Sequence, residues 1–446
     1  MACSVRPLDV LGQNSRLNGL YTQLCFMFPL DTSDPASTET IGTFLQEGLE
    51  SLTENVAWVG GRVIKTNSGH REIQVSGSTP SLTVKLLETE LPTYQCMRQA
   101  GFPFSILDEK VMAPRPTLPG LDENDTPVFM VQANFVQGGV LLVFNAQHSC
   151  MDLRGQAQMI ELFAQACRGQ DFSPKQLEVA NMTEYRLTPP SGASSTEQGS
   201  VHADDGPKPL QQRYDLQDRG QSRWSYFAFS AANLRRLKKL ATADKFCDFI
   251  STDDALSALL CQASLRCCKA RLSSTDVVST FERQVDARKH VGAPHAYMGN
   301  MVFKSCVKLR IADVDDMSLG QIASHLREAL SPEPTIECQM RVAAEKAQAA
   351  MKNEGQTQAS TRQSLALADF KLSSWAQEKC YEVDFGDRLG FPEAVRRPSF
   401  EAWEGLSYFM PRTRNGDIFV AVCLNDGDLG MLREDKEFCG FGAFIG

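Results

Sequence analysis

The stretch Val140-Leu-Leu-Val-Phe-Asn-Ala-Gln-His148-Ser-Cys-Met-Asp152 changes character midway. Its first five residues are continuously apolar, which predicts a strand covered on both faces and central in a sheet. Upstream, Val128 to Phe135 is separated from it by Gln137-Gly-Gly139, so the two segments read as a β-hairpin. Downstream of Asp152, Ile160, Phe163, Ala164 and Cys167 share one face of a helix. His148 therefore falls on a strand-to-helix turn, where a rigid frame can present a reactive side chain. Imidazole accepts and returns a proton near neutral pH, so His-x-x-x-Asp suggests a base beside an acidic neighbour. That spacing is unspecific alone, and the rest of the chain has to decide its meaning.

With 446 residues at 42% hydrophobic content, the chain exceeds what one core usually supports, and two domains are expected. Its net charge of -9, with no concentrated basic segment, argues against nucleic acid as a partner. The first residues lack an apolar signal core, and no stretch approaches the roughly 20 apolar residues of a membrane span. A soluble cytoplasmic chain with no membrane partner is the expectation. Fourteen cysteines are scattered without Cys-x-x-Cys pairs, and the adjacent Cys267-Cys268 suits neither zinc nor a disulfide framework. Reduced thiols and no metal follow. Nothing encodes oligomeric state, and a monomer is expected.

The composition drops in large apolar residues through Pro189-Pro-Ser-Gly-Ala-Ser-Ser and Asp204-Asp-Gly-Pro, which predicts an exposed linker over 189–221. It divides a first domain, 1–188, from a second, 222–446. Both halves mix helix-like and strand-like patterns, so the class is α/β. Ile41, Phe44, Leu45, Leu49 and Leu52 form one helical stripe, and Leu234, Leu237 and Leu240 form another. Ser251-Thr-Asp-Asp254 supplies a hydroxyl cap and an acidic residue three positions on, a helix start. Leu406 to Met410 and Ile418 to Leu424 bracket Arg414-Asn-Gly416 as a hairpin, and Asp428 to Phe438 reads as a closing helix.

Several strings, in order, resemble the BAHD superfamily of acyl-CoA-dependent O-acyltransferases, most closely its fungal trichothecene 3-O-acetyltransferase branch. They are Val56-Ala-Trp-Val-Gly-Gly-Arg62, the histidine motif, Ser251-Thr-Asp-Asp-Ala-Leu-Ser-Ala258, Val285-Asp-Ala-Arg288, Tyr297-Met-Gly-Asn300, Ser373-Ser-Trp375, Asp384-Phe-Gly386, and Val395-Arg-Arg-Pro398 leading to Tyr408-Phe-Met-Pro411. Non-ribosomal condensation domains share the reactive histidine but carry a second His where this chain has Gln147. Asp-Phe-Gly alone would suggest a protein kinase, yet no glycine-rich or His-Arg-Asp loop accompanies it.

The resemblance implies two similar domains of the chloramphenicol acetyltransferase-like type, each a mixed sheet flanked by helices, with a channel between them that reaches His148 from both sides. It implies acetyl-CoA, or another acyl-CoA, as co-substrate with no bound cofactor, and a small-molecule alcohol as acceptor, such as a terpenoid or polyketide. His148 would be the general base, working through a tetrahedral intermediate. Asp152 is implied to hold the loop, although a triad-like orienting role is the alternative. Asp384 is implied to pair with Arg288, and Gly386 to permit a tight turn. For CoA the resemblance points to Ser251, Thr252, Ser373, Ser374 and Trp375. Arg388, Arg396 and Arg397 are nearby cations for its phosphates, with internal pairing as the alternative. The plant form of the motif continues Trp-Gly, whereas Asp387-Arg-Leu-Gly390 follows here, so the oxyanion partner is undecided. Open alternatives are N-acylation or a longer acyl donor, a non-catalytic binding protein on the same scaffold, and a His-dependent elimination or cyclisation without CoA.

Overall fold

The computed structural model describes residues 4–30, 36–67, 69–118, 125–183, 185, 220–272, 274–330 and 368–446. Nearly all of the expected linker, including His202, lies outside the described residues.

The predicted hairpin is present as Phe129–Val136 and Gly139–Gln147, in register from Phe129↔Ala146 to Val136↔Gly139. Gly139–Gln147 is central in a five-stranded sheet ordered Ala394–Arg396, Tyr21–Pro29, Gly139–Gln147, Phe129–Val136, Ser81–Leu86. One face carries Phe26 and Phe144 and is covered by the helices Ala36–Asn55 and Leu153–Cys167, the stripe of Ile41, Leu45, Leu49 and Leu52 being buried as its spacing predicts. The opposite face is polar and still buried. There Gln23 and Asn145 donate to the Arg115 carbonyl at 2.8 Å each, Gln132 and Lys85 to that of Val111, and Asn134 to that of Met112. These side chains satisfy the carbonyls of a strap over 109–117 that lacks a strand partner of its own.

The second sheet is ordered Val302–Arg310, Val278–Asp286, Phe370–Ser374, Leu406–Phe409, Ile418–Asn425, Ser222–Phe229, Gly442–Phe444. Against it lies Thr252–Lys269, started by the expected capping box of Ser251 with Asp254 and buried along most of its length. The helices Ala231–Ala243 and Leu319–Glu328 pack on that helix in turn. Leu234 and Leu237 are buried, but Leu240 is 50% exposed, so only part of the predicted stripe faces the core. The expected closing helix is two, Asp426–Glu434 and Lys436–Cys439, because Asp435 turns extended and caps the second; a last strand, Gly442–Phe444, follows. A four-stranded sheet, Ser4–Pro7, Arg71–Val75, Arg62–Lys65, Asp125–Pro127, completes the first half. No described helix is long and apolar enough to cross a membrane.

The two halves interlock more than a division at the linker suggests. Ala394–Arg396 pairs with Tyr21–Pro29, so a strand from the second half forms the edge of the first sheet. Ahead of it, Phe385 of the Asp-Phe-Gly motif is buried among Phe28, Phe144 and Phe163, with ring centroids 5.5, 6.4 and 5.8 Å away. Aromatic contacts of this kind contribute about 0.5–1.5 kcal/mol each beyond area burial. In return, Phe104 stacks on Tyr226 at 3.9 Å.

Candidate active site

His148 leaves the end of the central strand, where its backbone N–H donates to Leu20 at 2.8 Å. The turn is shaped by Gln147, whose amide oxygen accepts from both the backbone and the hydroxyl of Ser149 at 2.6 Å. The ring is half-buried. Its Nδ1 is fully covered and has no hydrogen-bond partner among the described residues. Burial lowers its pKa from the ordinary 6.5, opposed by its own backbone, the Asp152 charge, the Asn300 side chain and the Met151 backbone. The imidazole is therefore neutral at pH 7, the protonation state a base requires.

Asp152 is turned to other work. Its carboxylate accepts the N–H of Gly155 at 2.9 Å, capping Leu153–Cys167, and the N–H of Met301 at 2.9 Å. Arg288 donates to both of its oxygens, at 2.8 and 3.0 Å. Both side chains are essentially buried. All five N–H groups of Arg288 are placed: Nε on the Tyr297 carbonyl, one terminal nitrogen on Asp152 and Gly299, the other on Asp152 and Asp286. The planar fork suits this, and Arg288 is held above its ordinary range by the two carboxylates against the cost of burial. Gly155 is required here by space, because a Cβ would sit 2.0 Å from the Met298 carbonyl oxygen.

The expected Asp384–Arg288 pair does not form. Asp384 accepts from the backbone N–H of Gly386 at 2.8 Å, and its own carbonyl is bound by Arg168. The reason is geometric: Arg288 grips Asp152, the cap that precedes the helix Leu153–Cys167, whereas Arg168 follows the last residue of that helix, about 24 Å away at roughly 1.5 Å rise per residue from 152 to 168. Gly386 does adopt φ +72°, the left-handed region expected of a tight turn, and its Cα faces the Arg168 side chain.

The residues proposed for CoA divide. Ser374 hydrogen-bonds Asp253 in the first turn of Thr252–Lys269, which brings Ser373 and Ser374 beside Ser251 and Thr252. Trp375 is buried, its indole N–H on the Ser373 hydroxyl at 2.9 Å and its ring 4.7 Å from Tyr408. Arg396 and Arg397 are corrected to interior roles, each 2% exposed. Arg396 lies 3.4 Å from the centre of the Phe419 ring and donates to Gly101, because its strand is sewn into the first sheet. Arg397 lies over Phe400 and Tyr408 and donates to Thr117. Arg388 is exposed on the turn after Gly386. Asp9 and Asn300 are the members that sequence reasoning missed. Asn300 donates its amide to the carbonyls of His148 and Ser149, at 2.9 and 3.2 Å, and its backbone N–H to Asp9 at 2.8 Å. Asn300 stood in a recognised string with no role attached, and nothing in the spacing marked Asp9. A separate cleft of about 460 Å³, walled by Lys85, Lys110, Pro114 and Arg115, lies over the strap and does not include His148 among its walls.

Comparisons with known proteins identify the family. Residues 20–167 match the trichothecene 3-O-acetyltransferase-like N-terminal domain, and residues 113–439 match the transferase family. The O-acetyltransferase dmxR13 of Cryptosporiopsis is 37% identical over 98% of this chain and 97% of its own. The trichothecene 3-O-acetyltransferase TRI101 of Fusarium sporotrichioides is 35% identical over 98% and 97%. The structure of F. graminearum TRI101 complexed with coenzyme A and deoxynivalenol superposes with a TM-score of 0.88 at 31% identity, covering 99% of this chain and 100% of that one. Vinorine synthase, at 16% identity and a TM-score of 0.64, shares the fold. With a family match over most of its length and full-length relatives above 30% identity, the chain belongs to the BAHD-type transferase family and is an acyltransferase.

Proposed function

We propose that this chain transfers an acetyl group from acetyl-CoA to a hydroxyl of an apolar secondary metabolite of the trichothecene-like terpenoid or polyketide kind, with His148 as general base. One observation carries the reading: the half-buried His148 ring has its Nδ1 side covered, and its acidic neighbour is fully engaged elsewhere. The base therefore works from Nε2 without a carboxylate behind it. As the alcohol oxygen attacks the thioester carbonyl, Nε2 takes the hydroxyl proton; collapse of the tetrahedral intermediate breaks the C–S bond, and the proton passes to the departing thiolate. The products are an ester and free CoA, with no acyl-enzyme. Relatives named as O-acetyltransferases support the acetyl donor and the hydroxyl acceptor. Ser251, Thr252, Ser373 and Ser374 form the CoA-facing group, with Arg388 the one exposed cation of the three considered for the phosphates. A cytoplasmic monomer is the working unit of this reading.

The test is thiol release from acetyl-CoA with a panel of terpenoid and polyketide alcohols, products being weighed by mass spectrometry. His148→Ala is expected to lose about 100- to 10,000-fold in rate with an unchanged melting curve. A rate close to wild type in that variant would remove His148 as the base. Turnover without any CoA requirement would favour an elimination or cyclisation instead.

A further inference from the structure

We propose that Asp9 and Asn300 are positioning residues for the transfer: a carboxylate-to-amide relay that fixes the main chain of the histidine turn and thereby the direction in which the His148 ring faces. The inference rests on acyl transfer with His148 as base.

The relay joins three parts of the chain that are remote in sequence. Asp9 accepts the N–H of Gly12 at 2.6 Å on one oxygen, and the N–H of Asn300 at 2.8 Å and the Tyr297 hydroxyl at 3.3 Å on the other. Asn300 then spends both amide hydrogens on consecutive carbonyls, those of His148 and Ser149. Asp9 and Asn300 are 7% and 3% exposed, so these bonds are shielded from competing water. The residue between Tyr297 and Asn300 in this contact has to be small: a Cβ on Gly299 would lie 2.2 Å from the Asp9 carboxylate.

Fixing the carbonyl of His148 fixes the peptide plane that follows its Cα, and with it the direction of the Cα–Cβ bond. The opposite side of the residue is already held through its N–H on Leu20. Between these two anchors the ring keeps Nδ1 covered. Asp152 and Arg288 hold the end of the same turn, four residues on, but reach neither carbonyl. The relay thus acts on the base itself, and the salt bridge on the helix that follows.

Three donors face the Asp9 carboxyl, an arrangement that fits the ionised form. Burial nevertheless raises its pKa to about 6, with the Gly12 and Asn300 N–H groups and Tyr297 opposing; Asp152 adds to the rise, and Arg6 and Cys150 are the other titrating neighbours. Protonating Asp9 would place a hydrogen against donors and loosen Asn300. Acid therefore acts on the site twice, once at His148 and once at Asp9.

The experiment compares Asn300→Ala and the isosteric Asp9→Asn with wild type and His148→Ala, by acetyl-CoA kinetics across pH and by melting curves. In both relay variants kcat is expected to fall about 10- to 100-fold, the scale of a misplacement near 1 Å, while KM for acetyl-CoA stays within about twofold. The acid limb of kcat/KM, with slope approaching two protons in wild type, should flatten toward one in Asp9→Asn. A folded Asp9→Asn enzyme with wild-type kcat and an unchanged acid limb overturns the relay, as does a loss confined to KM. Turnover abolished in His148→Ala but intact in Asn300→Ala overturns the relay and spares the base; turnover intact in both overturns the base as well.

Discussion

Replacing Arg288 with Met separates two readings of Asp152, as an orienter of the histidine or as a support for the fold. The substitution keeps an unbranched stem and removes five N–H donors, leaving the Asp152 carboxylate, 1% exposed, with the Gly155 and Met301 N–H groups alone. The carbonyls of Tyr297 and Gly299 lose their charged donor at the same time. Removing one partner of a buried ion pair costs about 3–5 kcal/mol, a large share of the 5–15 kcal/mol available to a typical protein. Asp152→Asn attacks the same pair from the other side and should cost a comparable amount. The double variant should cost clearly less than the sum, because both singles break one interaction. Urea unfolding, followed by intrinsic fluorescence, measures the three losses, and kcat is taken on protein that is folded at the start of the assay. The structure predicts large shifts in stability and, in Asp152→Asn, a kcat within about tenfold of wild type, since no hydrogen bond joins Asp152 to the imidazole. In hydrolase triads the equivalent change drops kcat about 10,000-fold with geometry intact. That combination, normal stability and a collapsed kcat, would refute the structural reading of Asp152.

With the pKa of His148 below its ordinary 6.5, the base is already deprotonated at neutral pH, so kcat/KM should rise through a midpoint under 6.5 and be flat from pH 7 to 8, which a pH–rate profile checks. The same depressed pKa means that the unfolded chain takes up a proton before the folded one does. The contribution of His148 to stability is therefore complete above 6.5 and lost as pH falls below it, whereas Asp9, raised to about 6, favours folding at low pH and loses that contribution as pH climbs from its ordinary 3.8 through about 6. Ser374→Ala frees Asp253 from the strand end beside Ser251, and it should raise KM for acetyl-CoA several-fold with little change in kcat. An unchanged KM for the donor would move the CoA site away from these serines.

How far the sequence could be read depended on whether each feature was local. The hairpin, the central position of Val140 to Phe144, the capped start at Ser251 and the helix behind Asp152 all follow from neighbours within a turn or two, and all are in place. Long-range pairing was less legible. Arg288 lay in one of the recognised strings, but Asp152 and Asp384 were both chemically eligible distant partners, and only the opposite ends of one helix decide between them. Arg396 and Arg397 carry charge, which sequence reasoning assigns to surface and phosphate. Here aromatic rings of the second half of the chain receive them. Asn145 and Gln132 lie within otherwise apolar strands, and the strap whose carbonyls they satisfy begins more than a dozen residues away. Asp9 was the least visible, because its role exists only where residues 12, 297 and 300 meet.

The placement of Asp152 also bears on why this base suits a thioester. A carboxylate bonded to the imidazole would stabilise its protonated form, making a stronger base but a weaker acid. The reaction asks for both: a proton is taken from an alcohol and must then be given up to sulfur, whose thiol form, judged from cysteine near 8.5, is only weakly acidic and whose thiolate leaves readily. An imidazole held neutral by burial gives its proton back easily once the C–S bond breaks, so the return step needs no assistance. The harder step is removing the first proton, and there the architecture relies on placement. The ring is anchored through the backbone on both sides of its Cα, by Leu20 and by Asn300, and the turn beyond it by Gln147 and Asp152. Such anchoring costs nothing at the moment of reaction, because the order was established on folding. The buried ions of this site thus act mainly on where the base points, and desolvation outweighs the Asp152 charge in setting its basicity.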